Sequence, residues 1–253
     1  MARQQIIQVR DLWAKFGEHT ILSDINFETF ENEITVILGG SGSGKTTVLK
    51  HLIGLYPIEQ GSVEVLHRKL EEMSEREKSE FFLKIGVFYQ NGALLNSLTV
   101  AENVALPLQQ HTRLSDNLID ELVRLKLSLV NLEQAYDLFP SQLSGGMRKR
   151  AALARAIAMD PPLLFFDEPG AGLDPVLLAA LDDLILKLRD QLGVSITLVT
   201  HEVASILRLA DRIVFLDNGQ VLFSGTLSEA LSAGIETIDH FFEKGSAQNG
   251  SKT

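Results

Sequence analysis

A single stretch constrains this chain more than any other: Gly39-Gly40-Ser41-Gly42-Ser43-Gly44-Lys45-Thr46. It follows an apolar, strand-like run, residues 34–38, and leads into a helix-like run that opens with Thr46 and Thr47. The pattern G-x-x-x-x-G-K-[ST] cradles phosphates in this strand-loop-helix context, because backbone N–H groups, a helix N-terminus and a lysine converge on the phosphate oxygens. An ordinary glycine-serine turn is the alternative, but a turn has no use for a Lys-Thr pair at its end. We therefore predict that residues 39–47 bind a nucleoside triphosphate.

Length and charge limit what surrounds this loop. With 253 residues and 45% hydrophobic side chains, the chain is long and apolar enough for one large core or a core with an inserted subdomain. We find no apolar run near the roughly 18 residues of a membrane-spanning helix. There is no cysteine, and the first residues lack the apolar stretch of a secretory signal, so the cytosol is the expected compartment. The net charge of −10 disfavours a nucleic-acid partner.

Strand and helix patterns predict an α/β fold: a parallel sheet with an N-terminal antiparallel β subdomain and an inserted α-helical subdomain. Predicted strands cover residues 6–12, 24–30, 34–38, 61–65, 85–89, 163–166, 195–199 and 212–216, with a hairpin at 217–219 leading into 221–223. Predicted helices cover residues 100–105, 115–130 and 146–159, and a Ser74/Glu77 capping box opens another that runs to about Leu83. Leu177, Leu181, Leu184 and Leu188 are predicted to line the core face of one further helix.

Two carboxylates follow the apolar strand at residues 163–166. We expect Asp167 to hold Mg²⁺, directly or through water, and Glu168 to orient or deprotonate the attacking water. Acid pairs at strand ends are common, but an acid pair together with an upstream phosphate loop provides both halves of a Mg²⁺-assisted phosphoryl transfer.

Two further polar residues end predicted strands. His201 follows the strand at 195–199, and Gln90 follows the strand at 85–89. A lone histidine is more often a surface residue, but this position favours a contact with the γ-phosphate or the attacking water. The Gln90 amide is expected to touch Mg²⁺ or water and to move with the adjoining helical segment.

A second anion site is predicted before the helix at 146–159. Ser144 and the amides of Gly145 and Gly146 lie at the N-terminus of that helix. A plain N-cap is the alternative reading. A second phosphate-binding end in one chain implies a second nucleotide, which a symmetric dimer would supply. The basic side chains of the same helix, Arg148, Lys149, Arg150 and Arg155, are expected to form a mostly solvated face.

These residues in this order resemble the nucleotide-binding subunit of ATP-binding-cassette (ABC) transporters over residues 4 to about 230. The resemblance implies that residues 39–46 are the Walker A loop, Gln90 the Q-loop residue, 144–147 the signature, 163–167 the Walker B strand, Glu168 the catalytic glutamate, 172–174 the D-loop and His201 the switch histidine. It also implies that the parallel sheet is of the P-loop NTPase (RecA-like) kind, and that ATP and Mg²⁺ are the cofactors, with Phe16 stacked on adenine. The implied roles are catalytic for Glu168, His201, Gln90 and Lys45; nucleotide-binding for Phe16, residues 39–47, 144–146 and Asp174; and metal-binding for Thr46, Gln90 and Asp167.

The resemblance further implies a single ABC ATPase domain over residues 1–240, with a catalytic core at about 1–90 and 160–240 and a helical subdomain at about 91–159. Residues 241–253 are expected to be a short polar C-terminal tail.

Within the family, the chain looks like the ATPases of Mla-type phospholipid transporters. The similarity lies in residues 90–95 and 97–108 and in the signature, where Met147 stands in place of the usual glutamine. Such systems, as the resemblance implies, combine two ATPase subunits, two MlaE-like permease subunits, an MlaD-like MCE-domain ring and often an MlaB-like STAS-domain protein. The implied location is the cytoplasmic face of the inner membrane. An importer of another solute and a soluble ABC ATPase are the alternatives.

The apolar segment from Ala93 to Val100 is our candidate groove for a permease coupling helix. Simple packing of the helical subdomain explains the same pattern equally well, because periodicity alone does not separate the two.

Overall fold

The computed structural model describes residues 4–250, and their side chains as far as Lys244. The strands are β1 Gln5–Phe16, β2 His19–Phe30, β3 Ile34–Gly39, β4 Gln60–Val65, β5 Arg68–Lys69, β6 Ile85–Phe88, β7 Leu163–Asp167, β8 Ser195–Val199, β9 Arg212–Asp217 and β10 Gln220–Thr226. The helices are α1 Lys45–Leu52, α2 Glu75–Phe82, α3 Val100–His111, α4 Asp116–Leu129, α5 Gly145–Ala156, α6 Pro175–Leu192, α7 Val203–Leu209, α8 Leu227–Ser232 and α9 Glu236–Gly250.

The chain forms two compact units. The first comprises the chain up to Ser79 together with the part from Ser195 onwards, and the second comprises Glu80–Val194. The predicted single domain with boundaries near residues 90 and 160 stays a prediction, and each unit is described by itself below.

The first unit contains an antiparallel sheet in the order β2-β1-β4-β5. The long strands β1 and β2 alternate buried and less buried side chains within segments, such as Ile7 and Val9 in β1 and Ile25 and Phe27 in β2, and irregularities in the pairing shift the alternation between segments. This alternation is what a sheet with one solvated face requires. The predicted N-terminal antiparallel subdomain is therefore confirmed.

The phosphate loop leaves a second sheet of the first unit, in which the strands follow the order β10-β9-β3-β8. Strand β3 pairs in parallel with β8 and with β9, and all six of its residues are buried. A continuous apolar run of this kind is typical of a parallel strand covered on both faces. Because Ile37 pairs with Val199, β3 and β8 end at the same edge of the sheet.

The second unit holds β6 and β7, a parallel pair in which Phe88 lies opposite Phe166. Their rings are stacked with centroids 5.4 Å apart. Helices α3, α4 and α5 pack on one another, and α5 also packs on β6. The predicted helical insertion between these two strands is therefore present, and the α/β class is confirmed.

Local signals in the sequence set several helix ends. Thr99 and Glu102 form a capping box at α3, Ser144 caps α5, and the Ser74/Glu77 box predicted for α2 is present, with the Ser74 N–H donating to Glu77 at 2.8 Å. Helix α6 begins with Pro175 after the Asp174 cap and ends at Leu192, followed by Gly193, whose φ is 64°.

Two expectations about the helices are wrong in part, and a third extends beyond the described residues. Helix α3 does not stop at Ala105 but continues through Pro107 to His111, since Val104 and Leu108 both bury on its inner face. Leu181, Leu184 and Leu188 are buried as predicted, but Leu177 is 39% exposed at the start of α6. The predicted polar tail begins inside α9, whose backbone is helical to Gly250, and residues 251–253 lie outside the described residues.

No helix in residues 4–250 combines the length and the apolar composition that crossing a bilayer requires.

Candidate functional site

The phosphate loop of the first unit depends on glycine where it leaves β3. Gly39 has φ 146°, and a Cβ atom there would lie 2.0 Å from the carbonyl oxygen of Leu216. Gly44, the residue before α1, has φ 99°, and its Cβ would lie 2.5 Å from Leu22 Cδ2. No other residue type fits these positions without moving the backbone of β9 or the side chain from β2.

Inside this loop lie a cation and a buried hydroxyl. Lys45 Nζ donates to the carbonyl oxygens of Gly39 and Gly40 at 3.0 and 2.8 Å. Ser43 is 4% exposed, and its Oγ has no hydrogen-bond partner among the described residues. A buried donor without a partner is costly in a folded protein, and a phosphate oxygen would satisfy it. The loop therefore fits the triphosphate that the sequence predicts.

An aromatic network extends from α1 to Phe16. The Phe16 ring lies edge-on to Tyr56 at 5.5 Å, and Tyr56 lies edge-on to His51 at the same distance. His51 is 3% exposed, and its Nδ1 bonds to the carbonyl oxygen of Thr47 at 2.8 Å. Burial lowers the pKa of His51, so its neutral form is favoured. Phe16 itself is 50% exposed, which leaves ring surface for a nucleobase.

Beside Phe16 is a cavity of about 250 Å³. Its lining is mostly aromatic and apolar and includes two charged residues, Lys15 and Glu59: Trp13, Ala14, Lys15, Phe16, His51, Tyr56, Pro57 and Glu59. Tyr56 and His51 were not predicted as part of the site. No local sequence pattern marks them, because the contact of Tyr56 with Phe16, forty positions earlier in the chain, is visible only in the fold.

His201 lies at the sheet edge where the phosphate loop begins. It follows β8, which ends beside β3, and its imidazole is exposed, with Nε2 3.7 Å from the Glu202 carboxylate. The first unit thus brings together Phe16, residues 39–47 and His201 among the predicted site residues.

In the second unit, Gln90 and Glu168 leave neighbouring strands at the same edge. Each lies two residues beyond one member of the paired Phe88 and Phe166. Glu168 has φ 46°, a left-handed conformation that is unusual for a residue with a Cβ atom. Such conformations persist where the surrounding structure holds them, and they cluster at functional sites.

The other predicted residues of this unit lie at helix starts. Ser144 Oγ accepts from the Met147 N–H at 3.3 Å, and Ser144 and Gly145 are exposed. Asp174 Oδ1 accepts from the N–H groups of Val176 and Leu177 at 3.0 and 2.9 Å, so this carboxylate caps α6.

The predicted magnesium ligands are divided between the units, with Thr46 in the first and Gln90 and Asp167 in the second. Across residues 4–250, no group of three or more His, Cys, Asp or Glu side chains is arranged to hold a metal ion. The three predicted ligands therefore stay a prediction.

The expectation of a mostly solvated basic face on α5 is wrong for two side chains. Lys149 Nζ donates to the carbonyl oxygen of Gln90, and Arg155 donates to those of Gly92 and Ala93 at 3.0 and 2.8 Å. Both side chains are half-buried, and this burial lowers the pKa of each cation.

Comparison with known proteins gives one consistent family. The sequence profile of the ABC transporter family matches residues 22–171. The Haemophilus influenzae intermembrane phospholipid transport system ATP-binding protein MlaF is 39% identical over 91% of this chain and 87% of its own length. The Mycobacterium leprae probable ribonucleotide transport ATP-binding protein mkl is 37% identical over 93% of this chain and 68% of its own length.

A solved structure agrees with these relatives. A dimeric ATP-binding cassette in a post-hydrolysis state, bound to ADP and phosphate, matches with a TM-score of 0.79 and 31% identity, covering 88% of this chain and 99% of its own. The resemblance to Mla-type ATPases is thereby confirmed. The chain therefore belongs to the ABC transporter family, and it is an ATP-binding and ATP-hydrolysing subunit.

Proposed function

We propose that this subunit drives the movement of phospholipids between the inner and outer membranes. The observation that carries the proposal is the likeness to MlaF, whose name states intermembrane phospholipid transport, along nine tenths of this chain. The mycobacterial relative is named for ribonucleotide transport and is nearly as similar, so ribonucleotides are the second candidate cargo.

ATP binds on the phosphate loop with its adenine against Phe16. The amides of residues 40–47 and the N-terminus of α1 surround the phosphates, and the Ser43 hydroxyl donates to one of their oxygens. On binding, Lys45 exchanges the carbonyl oxygens of Gly39 and Gly40 for phosphate oxygens. Lys45 then stabilises negative charge that grows during phosphoryl transfer.

Mg²⁺ is held by Thr46, Gln90 and Asp167 in this proposal. Their hydroxyl, amide and carboxylate oxygens are the hard ligands that Mg²⁺ prefers, and carboxylate ligation through one or two side chains is usual for it. When bound, the ion neutralises charge on the phosphate oxygens.

Glu168 orients and deprotonates the attacking water. Its position directly after β7 fixes the carboxylate at the strand end, and the left-handed backbone restricts where it points. His201 and Gln90 contribute a contact to the γ-phosphate or the water from their own strand ends. The chemistry is general-base hydrolysis with electrostatic stabilisation.

The complete site needs a second copy of the chain. In a homodimer, Ser144 with the amides of Gly145 and Gly146 closes over the γ-phosphate held by the partner subunit, and Asp174 orders the nearby loop by capping α6. The exposure of Ser144 and Gly145 supports this role. A related cassette is dimeric after hydrolysis.

Closure of the dimer is passed to a membrane permease through the segment from Ala93 to Val100. Leu95 is 45% exposed, and the buried Asn103 side chain fixes the segment by bonding to backbone atoms of Leu95, Leu98 and Thr99. The segment is thus ordered and accessible, as a docking surface requires. MlaE-like permeases, an MlaD-like MCE protein and an MlaB-like STAS protein are the proposed partners, at the cytoplasmic face of the inner membrane.

The test is to purify the tagged chain from its own membranes and to analyse the complex by native lipid mass spectrometry. We expect a multi-spanning permease and an MCE-domain protein to co-purify, with bound phospholipid. A permease without an MCE protein, or bound ribonucleotide in place of phospholipid, would favour the second cargo. Leu95→Asp should release the permease, whereas Leu125→Asp, which changes a leucine of α4 that is 53% exposed, should retain it.

A further inference from the structure

The turn that carries Gln90 is bonded to helix α5 along its length. Residues 89–92 form a turn closed by the Gly92 N–H on the Tyr89 carbonyl oxygen at 2.7 Å, and Gly92 and Ala93 both have positive φ, 73° and 48°. A turn of this shape leaves carbonyl groups that neither a helix nor a strand satisfies. The carbonyl oxygens of Gln90, Gly92 and Ala93 instead accept from Lys149 and Arg155 of α5.

Both cations contribute more than an ordinary surface contact. Lys149 Nζ also lies 5.5 Å from the centre of the Phe88 ring, at the end of the strand that leads to Gln90. Arg155 spans two successive carbonyl oxygens with its two terminal nitrogens, so its planar group fixes the direction of the backbone at residues 92 and 93. Hydrogen bonds from partly desolvated cations are stronger than neutral ones.

Contact between the turn and the helix is also steric. A Cβ atom on Gly92 would lie 3.1 Å from Ala152 Cβ, which is closer than ordinary van der Waals contact. The turn therefore rests directly on α5 at Ala152, between the two cationic contacts.

The same helix begins at the Ser144 end. Helix α5 runs from Gly145 to Ala156, so Ser144 and Arg155 are about 16 Å apart along one rigid element. A displacement of the Ser144 end carries Lys149 and Arg155 with it. Their hydrogen bonds then carry the backbone of residues 90–93 in the same direction.

We propose that Lys149 and Arg155 are positioning residues that fix the Gln90 turn to α5, so that Gln90 moves together with Ser144. This inference rests on the proposed function, in which Gln90 serves one nucleotide and Ser144 contacts the nucleotide held by the partner subunit. Arrival of the partner's γ-phosphate at Ser144 thereby adjusts Gln90. The two cations act through Gln90 and touch neither ATP nor water themselves.

The test uses three variants of the whole chain: Lys149→Met, Arg155→Gln and the two substitutions combined. Each is compared with the control variant Arg150→Gln. Arg150 is the matched control, because it belongs to the same helix but donates to Asn131 at 3.4 Å, away from the turn. Two readouts are needed: ATPase kinetics, and amide hydrogen exchange of residues 89–93.

For the double variant we expect kcat to fall roughly 10- to 100-fold because Gln90 is misplaced, with KM for ATP changed by less than about 2-fold. Exchange in residues 89–93 should rise roughly 10-fold. Lys149→Arg and Arg155→Lys should recover part of kcat, and Arg150→Gln should match the wild type in both readouts.

The proposal would be overturned if the double variant kept the wild-type kcat and the wild-type amide exchange in residues 89–93. It would also be overturned if kcat simply fell with the melting temperature and did so to the same extent in Arg150→Gln. Should the double variant not fold, the single variants and Gly92→Ala, which pushes the turn off Ala152, are judged by the same two readouts. A wild-type protein without ATPase activity would contradict the proposed function, while the exchange measurement would still decide whether α5 holds the turn.

Discussion

Glu168 shows how a residue-scale constraint supports the proposed chemistry. A non-glycine residue with φ 46° costs about 1–2 kcal/mol relative to the common backbone regions. The buried strand β7 and the segment after it maintain this geometry, since Ala171 N–H donates to the Glu168 carbonyl oxygen at 3.2 Å. The backbone therefore restricts the carboxylate before any nucleotide binds.

Replacing Glu168 by Gln should separate binding from hydrolysis. The amide keeps the shape of the carboxylate but cannot take a proton, so kcat should fall by roughly 10²- to 10⁴-fold. ATP affinity, measured with a fluorescent nucleotide, should stay within about 2-fold because the phosphate loop is unchanged. Glu121→Gln, at an exposed position of α4, is the control. Unchanged turnover in Glu168→Gln would remove Glu168 from the role of base.

Tyr56 should affect affinity for ATP and not turnover. Tyr56→Leu removes the ring that supports Phe16, and an aromatic pair contributes about 0.5–1.5 kcal/mol, so KM should rise roughly 2- to 12-fold with kcat nearly constant. Tyr56→Phe keeps the ring and loses only the hydrogen bond from Lys50 at 3.2 Å, so it should resemble the wild type. Equal KM values for the Leu and Phe variants would show that Tyr56 does not support the nucleobase site.

Residues of the site differed in how well the sequence predicted them. Gly39, Gly44 and Lys45 were predictable because their roles follow from a local pattern of eight residues. Lys149 and Arg155 were not, because they bond to carbonyl groups about sixty positions away, and a basic helix face is more often solvated. Only the fold shows which flexible side chains reach a backbone turn.

At the scale of elements, Gly86 permits α5 and β7 to pack against β6. A Cβ atom on Gly86 would lie 2.3 Å from the Ala156 carbonyl oxygen and 2.4 Å from Leu164 Cδ2. The first of these neighbours is backbone at the end of α5, and it cannot rotate away. The helix that carries Ser144 therefore sits as close to β6 as the absence of a side chain allows.

Gly86→Ala should destabilise the protein by overpacking. Insertion of a methyl group into a packed contact costs typically about 1–3 kcal/mol. The free energy of unfolding, measured by urea titration, should fall by that amount. Gly145→Ala is the control, since its Cβ would meet nothing within 4 Å. If both substitutions change stability equally, the close approach of α5 to β6 is not what requires glycine.

Elements were predicted well where periodicity and caps agree, and less well where they conflict. The buried strand β3 was predicted from its continuous apolar run and the start of α2 from the Ser74/Glu77 box, and α3 begins at Val100 as predicted. Its end was wrong, because Pro107 reads as a helix breaker while the buried Leu108 continues the helix. Leu177 matched the leucine spacing of α6, but it lies in the first turn of that helix, where it is partly exposed instead of buried.

The whole molecule carries its predicted site residues in two separate compact units. The first has the phosphate loop, Phe16 and His201; the second has Gln90, Glu168 and the Ser144 end of α5. The sequence predicted which segments carry these motifs, because each motif has its own local pattern. How two copies assemble does not follow from any local pattern, since it depends on complementary surfaces.

The central claim is that the Ser144 end of one subunit completes the phosphate loop of its partner. It is tested by measuring ATP hydrolysis in dual-tagged heterodimers of Lys45→Ala and Ser144→Arg chains. Each variant alone should be nearly inactive. In the heterodimer both changes fall in one composite site and the other site is intact, so activity should recover to at most about half of the wild-type value. Hydrolysis no higher than that of the two homodimeric variants would contradict the claim.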